Sequence, residues 1–497
     1  MLTDGRHSEG RGGRPLLALC GVASLLSAGL LVYSQTLAFA WDEGFHLLAA
    51  QLIKAGKRPY LDFFFPQTAL NAYWNAAWMR LFGESWRAAH AVAALLSAGA
   101  ALLAADYLLA RFPEPRWRLA TALAAVVTCG LNVMVVEFGT IGQAYGLCLF
   151  LAVASFRLTI LSVDRKGSLW PALAGFCAGA GAASSLLSAP VAPVLALWML
   201  FENRCGRRFV KLAAFLAGGT VAFLPLLRLF VEAPRRVLFN VFDYHFFYRQ
   251  ASWSGATRQN LEVMFSWVDS SHALLLGLLA AAGLLFIGLR SEWDRRQRAD
   301  FYLCGWLTLA LMVHLSLVRP TFERYFLLVV PFLSILAAAG LYWAGARMLG
   351  PDRPFWPALV LTVLVSLGLA KVLYEGRDDF RWSDMEEIAR KVDQVTPPKS
   401  PLLADEPVYF LTRRTPPPGM ESNDSHKLEL PPAFAGQLHI VPQAELDKQI
   451  RARAFGTVLV CDDDEQVEEL GLARLYSQRA KVQDCDVFWD KAPAPVK

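Results

Sequence analysis

The chain has 497 residues, 55% of them hydrophobic and only 18% charged, with a mean hydropathy of +0.35. A soluble globular protein of this length carries more charge. Apolar runs of about 20 residues, enough for a helix to cross about 30 Å of hydrocarbon, recur instead, so the class is a polytopic membrane protein, mainly α. The net charge of +5 conceals an asymmetry: residues 375–497 hold 16 Lys/Arg against 23 Asp/Glu, and the first 374 hold 32 against 20. The positive charge is scattered over short loops, which argues against nucleic acid as a partner.

Residues 1–14 are polar and Gly-rich and form a cytoplasmic N-terminal tail. The apolar run from Pro15 to Ala40 is too long for a signal-peptide core and no small-residue cleavage site follows, so it reads as a retained first span. The outer loop 41–87 comes next. Its segment "WDEGFHLLAAQLIKAGKRPYLDFFFPQTALNAYW" (Trp41–Trp74) places Asp42 and Glu43 directly after the apolar run and Asp62 before three phenylalanines. Phe45, Leu48, Ala49, Leu52 and Ile53 recur at helical spacing, with His46, Gln51 and Lys54 on the other side. Leu70, Tyr73, Trp74, Ala77, Trp78 and Leu81 repeat the pattern. The expectation is two amphipathic helices in the membrane interface, anchored by Trp and Tyr.

Further helices are expected near 88–110, 118–136, 142–162, 170–183, 187–200, 211–230, 272–290, 301–318, 325–346 and 356–374, making eleven with the first. The pair at 170–200, interrupted by Ser184, Ser185 and "SAPVAP", reads either as two thin spans or as one re-entrant element. The loops "RFPEPRWR", "VDRKGS", "ENRCGRRFVK", "RSEWDRRQR" and "ARMLGPDRP" all fall on one face, which the positive-inside rule makes the cytoplasm. The opposite face receives 41–87, 231–271 and the C-terminal part. Within 231–271, "FNVFDYHFFYRQ" gathers Tyr244, His245, Tyr248 and Arg249, either a substrate rim or an aromatic interfacial belt. Six cysteines lie in or beside the membrane body (Cys20, Cys129, Cys148, Cys177, Cys205, Cys304), at no metal spacing.

From Glu375 the composition turns polar, and residues 375–497 read as a small α/β extracytoplasmic domain. "RWSDMEEIARKVDQV" is an amphipathic helix, with Ser383 as its expected N-cap and Glu386 three residues on. "SPLLADEP" and "VYFLTRR" read as a strand and a following element, and "TPPPGMESNDSHKLELPP" as a Pro-rich mobile loop. "FGTVLVCDDDEQVEELGL" reads as strand then helix, with the acids at 462–464 as capping residues of the turn, and "DCDVFWD" as the last strand. Pairing of Cys461 with Cys485 is open on spacing alone.

A first span ending in Asp-Glu, the loop with its "RPYLDFFFPQTALNAYW" joint, and "ERYFLLVVPFLSILAAAGL" near the end of the body together resemble the GT-C superfamily of membrane glycosyltransferases. More narrowly, they are similar to the bacterial branch that includes the lipid A aminoarabinose transferase and the protein O-mannosyltransferase-like proteins (families 39 and 83). The resemblance covers residues 15–374. It implies inverting transfer of a sugar from a polyprenyl-phosphate donor to a glycan, lipid or protein acceptor on the non-cytoplasmic face of the inner membrane. It implies Asp42 as general base, with Glu43 and Asp62 as neighbouring carboxylates, and Arg324 and Tyr325, with Lys57 and Arg58 as further candidates, at the donor phosphate. The acid-Lys-Pro-Pro element of the aminoarabinose branch is missing here, which leaves the sugar and any divalent metal open. Each residue has a plainer role available: Asp42 a helix cap, Asp62 a turn, Arg324 an ion pair with Glu323, Lys57 and Arg58 headgroup anchors. The alternative function is a transporter or flippase. Such a protein places charges near the midplane of several spans and shows symmetric repeats; neither is evident here.

Overall fold

The computed structural model describes residues 13–202, 206–249, 255–289, 293–461 and 464–490. Most of the N-terminal tail, Cys205, and Asp462 and Asp463 of the acidic turn lie outside them. The chain is mainly helical and divides into two compact units. The first comprises Met1–Thr36, Ala89–Leu224 and Gly255–Asp378; the second Leu37–Ala88, Pro225–Ser254 and Asp379–Lys497. The second unit thus gathers the first outer loop, a short central segment and the C-terminal part from Asp379 on.

The first unit is a multi-pass membrane body. Each of the eleven expected ranges contains a helix, and among the described residues eight helices are long and apolar enough to cross a bilayer. The other three are short. The third range breaks into Arg118–Gly130 and Val133–Phe138, where the Asn132 side chain accepts the Met134 N–H at 3.1 Å and caps the second piece. Leu169–Ser184 and Val191–Phe201 are separated by a tight turn over Leu186–Ser188. The first helix stops at Thr36 rather than Ala40.

The segment Glu323–Leu349 is the most enclosed of the long helices. Pro331 does not break it, because it sits in the first turn of Val330–Leu349, after a 3-10 turn over Glu323–Val329. The helix Ser271–Leu289 crosses it at backbone distance. A Cβ at Gly283 would lie 2.1 Å from the Leu336 oxygen, and one at Gly340 2.0 Å from the Leu279 oxygen. Glycine at both positions permits this approach, the usual route to helix packing where lipid supplies no hydrophobic drive. At one end of the unit the basic loops meet. Arg111 pairs with Asp164 and Arg116 with Asp352. Trp117 Nε1 donates to the Pro351 oxygen at 2.8 Å, Lys211 Nζ to the Ser162 oxygen at 2.6 Å, and Trp293 packs edge-on against Phe112 at 5.7 Å.

The second unit contains both expected loop helices, Glu43–Lys54 and Leu70–Phe82. The first buries its polar side as well as its apolar one. His46 and Gln51 are enclosed, and Gln51 Nε2 donates to Glu84 Oε2 at 2.9 Å. The second keeps an interfacial character: Trp74, Trp78 and Phe82 form a ladder of rings, and Leu81 and Phe82 are exposed.

The C-terminal part is α/β. Strands β1 (Leu402–Leu403), β2 (Thr457–Cys461), β3 (Gln478–Val482) and β4 (Cys485–Trp489) form one sheet in the order β1-β2-β4-β3, parallel only between β1 and β2. Cys461 and Cys485 face each other across β2 and β4 and form a disulfide. "VYFLTRR" follows β1 as a helix, Glu406–Thr412. The helix Trp382–Val395 starts one residue before the expected cap. Its Asp384 accepts the Arg381 N–H at 2.9 Å, while Glu386 is taken by Trp86 and Arg87 instead of closing a capping box.

Candidate active site in the loop and C-terminal unit

Asp42 enters the first loop helix through a turn in which the Ala40 and Trp41 oxygens accept the Glu43 and Gly44 N–H groups. It occupies the N-cap position in helical conformation (φ −63°, ψ −10°), and its side chain makes no capping hydrogen bond. Glu43 is fully buried, and its Oε2 accepts the Trp382 indole N–H at 3.1 Å. Trp382 stacks on Trp86 with centroids 5.2 Å apart. Glu43 therefore anchors the helix Trp382–Val395.

Gly44 explains how the C-terminal part reaches Asp42. A Cβ there would lie 2.4 Å from the Pro407 ring, so only glycine lets the helix Glu406–Thr412 lie flat on the first loop helix. That contact sets Asp405 and Glu406 in place, and both hold Asn423. Asn423 Nδ2 donates to Asp405 Oδ1 at 2.5 Å, and its backbone N–H to Glu406 Oε1 at 2.7 Å. Burial raises both carboxyls, Glu406 to about 8 with help from the Asp405 charge.

The Pro-rich segment expected to be mobile is thus pinned. Glu421 Oε2 accepts the Gly419 N–H at 2.8 Å, Ser425 Oγ donates to the Gly419 oxygen at 3.0 Å, and the His426 ring bonds the Val441 oxygen at 2.7 Å. Lys57 reaches this segment too, 3.7 Å from the buried Glu421 carboxylate.

Lys427 is the functional candidate that the sequence reading missed. Its ammonium lies 2.9 Å from Asp424. Partial burial disfavours its charge, but Asp424, then Asp42 and Glu406, outweigh that and raise it. Asp42 is thus one of the acids whose charge favours the Lys427 cation. The only sequence signal was the density of ionisable residues in "ESNDSHK" between two proline stretches.

The joint between the loop helices is a compact knot. Burial pushes the Asp62 carboxyl up, but hydrogen bonds from the Arg58 backbone (2.8 Å) and guanidinium (3.2 Å), with its charge, bring it below the usual range. Arg58 also reaches Glu232 at 2.9 Å. Tyr60 is held at φ +68°, a strained conformation for a bulky residue, and its hydroxyl donates to the Gln67 oxygen at 2.6 Å. The Leu61 oxygen accepts from Arg236 (2.8 Å) and bonds His439 (2.7 Å), and Phe65 N–H donates to Asn240 Oδ1 at 2.9 Å.

His245 bonds the Pro66 oxygen at 2.8 Å; burial, then the Arg249 charge one turn on, lower it to about 4. Tyr244 is buried edge-on to Phe64 at 5.7 Å, and Tyr248 packs on Phe239 at 5.2 Å. These two rings belong to an aromatic core with Leu428, Leu430 and Ile440. The exposed rings of the segment are Phe242, Phe246 and Phe247. Among the described residues no three His, Cys, Asp or Glu side chains gather as a metal site.

Arg324 and Tyr325 belong to the membrane unit; the other nine candidates belong to the second. Both stand on the 3-10 turn Glu323–Val329. The Arg324 guanidinium lies over Phe322, 4.5 Å from its centroid, with Phe138 at 5.9 Å. Tyr325 is buried beside Phe322 and Tyr145, at 5.5 and 6.3 Å.

No protein-family model matches the sequence, and no curated protein matches it. Solved structures do. ArnT from Cupriavidus metallidurans bound to undecaprenyl phosphate superposes with a TM-score of 0.68 at 16% identity, over 95% of this chain and 97% of that one. Its apo state gives 0.66 at 17%, over 95% and 98%. The archaeal oligosaccharyltransferase AglB from Archaeoglobus fulgidus, in complex with an inhibitory peptide and a dolichol-phosphate, gives 0.52 at 13%, over 94% and 71%. At these identities the likeness carries the fold alone: a mainly helical, ArnT-like membrane architecture with a small C-terminal sheet.

Proposed function

We propose that the chain is a membrane glycosyltransferase that moves a sugar from a polyprenyl-phosphate donor to an acceptor hydroxyl on the extracytoplasmic face of the inner membrane. The observation that carries this reading is the near full-length likeness to a fold seen with undecaprenyl phosphate bound. In the mechanism, Asp42 takes the proton of the acceptor hydroxyl as its oxygen attacks the anomeric carbon, because a neutral hydroxyl is a poor nucleophile. Attack opposite the departing phosphate inverts the anomeric centre. The bond from that carbon to the phosphate oxygen breaks, and the lipid phosphate leaves with the electron pair. Its developing charge calls for a cation, the role given to Arg324 with Tyr325 beside it. Lys57 is a further candidate cation for the donor phosphate, and Lys427 adds positive charge on the acceptor side. Arg58 is engaged by Asp62 and Glu232 and braces the joint, as Glu43 braces the C-terminal helix. The acceptor is a glycan, lipid or protein hydroxyl.

The test is direct. Purified full-length protein is given a panel of polyprenyl-phosphate sugars and a membrane-glycan extract, and free polyprenyl phosphate is measured. The wild type should release it. Asp42→Asn, folded and membrane-inserted, should lose at least about a hundredfold in rate, the range of a general base. Full activity in Asp42→Asn would remove the base assignment.

A further inference from the structure

The segment leading into the turn that carries Arg324 is held by an amide side chain from another helix. Asn260, on the helix Ala256–Asp269, is buried and uses three of its four hydrogen-bonding positions. Its Nδ2 donates to the Val318 oxygen at 2.8 Å and the Ser316 oxygen at 3.2 Å; its Oδ1 accepts the Thr321 N–H at 2.7 Å. The helix Arg295–Leu317 ends here, so these carbonyls are among those that no further helical turn would satisfy. Thr321 is fully buried, and the chain then runs through Phe322 into Arg324. The Phe322 oxygen accepts the Tyr325 N–H at 3.0 Å, and its ring carries the Arg324 guanidinium. A second contact from the same helix, Trp267 against Phe326 at 5.9 Å, holds the far side of the turn.

We propose that Asn260 is a positioning residue for the lipid phosphate: by fixing residues 316–321 it sets Phe322, and through Phe322 the plane and direction of the Arg324 guanidinium. The inference rests on the reading that Arg324 takes the phosphate. A planar guanidinium binds a phosphate through directed, paired hydrogen bonds, so its orientation matters as much as its charge. A general stabilising role would leave lipid recognition untouched; a positioning role ties Asn260 to the phosphate group alone.

The experiment measures binding of undecaprenyl phosphate, and of undecaprenol as the phosphate-free control, to full-length protein in detergent. Wild type is compared with Arg324→Ala, Asn260→Ala, Asn260→Asp and the double variant Arg324→Ala/Asn260→Ala. Asn260→Asp keeps the shape and the acceptor for Thr321 and, protonated in this buried site, retains one donor of the two, which gives a second variant if the alanine is unstable. Both Asn260 variants should bind undecaprenyl phosphate roughly tenfold more weakly, about the worth of one well-placed hydrogen bond to a charge. Undecaprenol binding should stay unchanged, and the double variant should be no weaker than Arg324→Ala alone, because the two residues act as one unit. If Arg324→Ala weakens binding while both Asn260 variants bind as wild type, or if the two losses add, the positioning role is overturned and the Arg324 reading stands. If Arg324→Ala binds as tightly as wild type, the Arg324 reading falls and the inference with it.

Discussion

Asp42 and Lys427 show what the sequence could and could not disclose at the scale of single residues. Asp42 is marked by position, the first acid after an apolar run. The segment that carries Lys427 is held through the Gly44–Pro407 contact and the bonds of Asn423 to Asp405 and Glu406, which leave no periodic trace. The same holds for Asn260, one amide on an amphipathic helix until its partners are seen. If Lys427 serves the acceptor side, Lys427→Ala should lower kcat by about ten- to a hundredfold, the range of one hydrogen bond to a charged group. Lys427→Arg should recover part of the loss, and donor KM should barely move. Steady-state kinetics in both substrates checks this; an unchanged kcat would leave Lys427 as a surface partner of Asp424.

Elements were legible wherever apolar residues mark a period. Each of the eleven expected ranges contains a helix, the third one broken at Asn132, and β2 also falls where hydropathy puts it. β3 was missed because "QRAKV" is an edge strand with half-exposed and exposed residues in alternation, and it lacks the apolar face that would announce it. The segment after Thr412 was misread because its order comes from buried acids rather than apolar packing. Those acids give the element a pH dependence. Glu406 holds its proton to about 8 in the folded chain, well above an ordinary carboxyl near 4.5. Its contribution to stability is therefore complete below the unfolded value and is lost as pH rises through the folded one, at roughly 1.4 kcal/mol per pH unit between them. Unfolding of the full-length protein followed from pH 5 to 9 should show this decline. Glu406→Gln should flatten it and make the variant the more stable form at pH 9; parallel profiles for the two proteins would show that Glu406 is not the titrating group.

The whole molecule poses the question of orientation, on which the catalytic proposal depends, because a polyprenyl-phosphate sugar must meet Asp42 on the acceptor's side. Two independent observations point the same way. Within the membrane unit the five basic loops gather at one end, tied by Arg111–Asp164, Arg116–Asp352, Trp117–Pro351, Lys211–Ser162 and Trp293–Phe112. The positive-inside rule supports a cytoplasmic placement of that end. The last helix, Phe355–Glu375, starts just after Asp352 at that end, so the chain leaves it at the other. The second observation is chemical: Cys461 and Cys485 are joined in the C-terminal sheet, and disulfides persist in oxidising compartments. The two arguments share no residue, so their agreement carries weight that neither has alone. Alkaline phosphatase fused after Lys497 should be active and a fluorescent protein fused there dark. The two C-terminal cysteines should resist a thiol reagent in intact cells until a reductant is added. A bright fluorescent fusion with freely reactive Cys461 and Cys485 would invert the topology, put Asp42 on the cytoplasmic face, and require a donor made and used on that side.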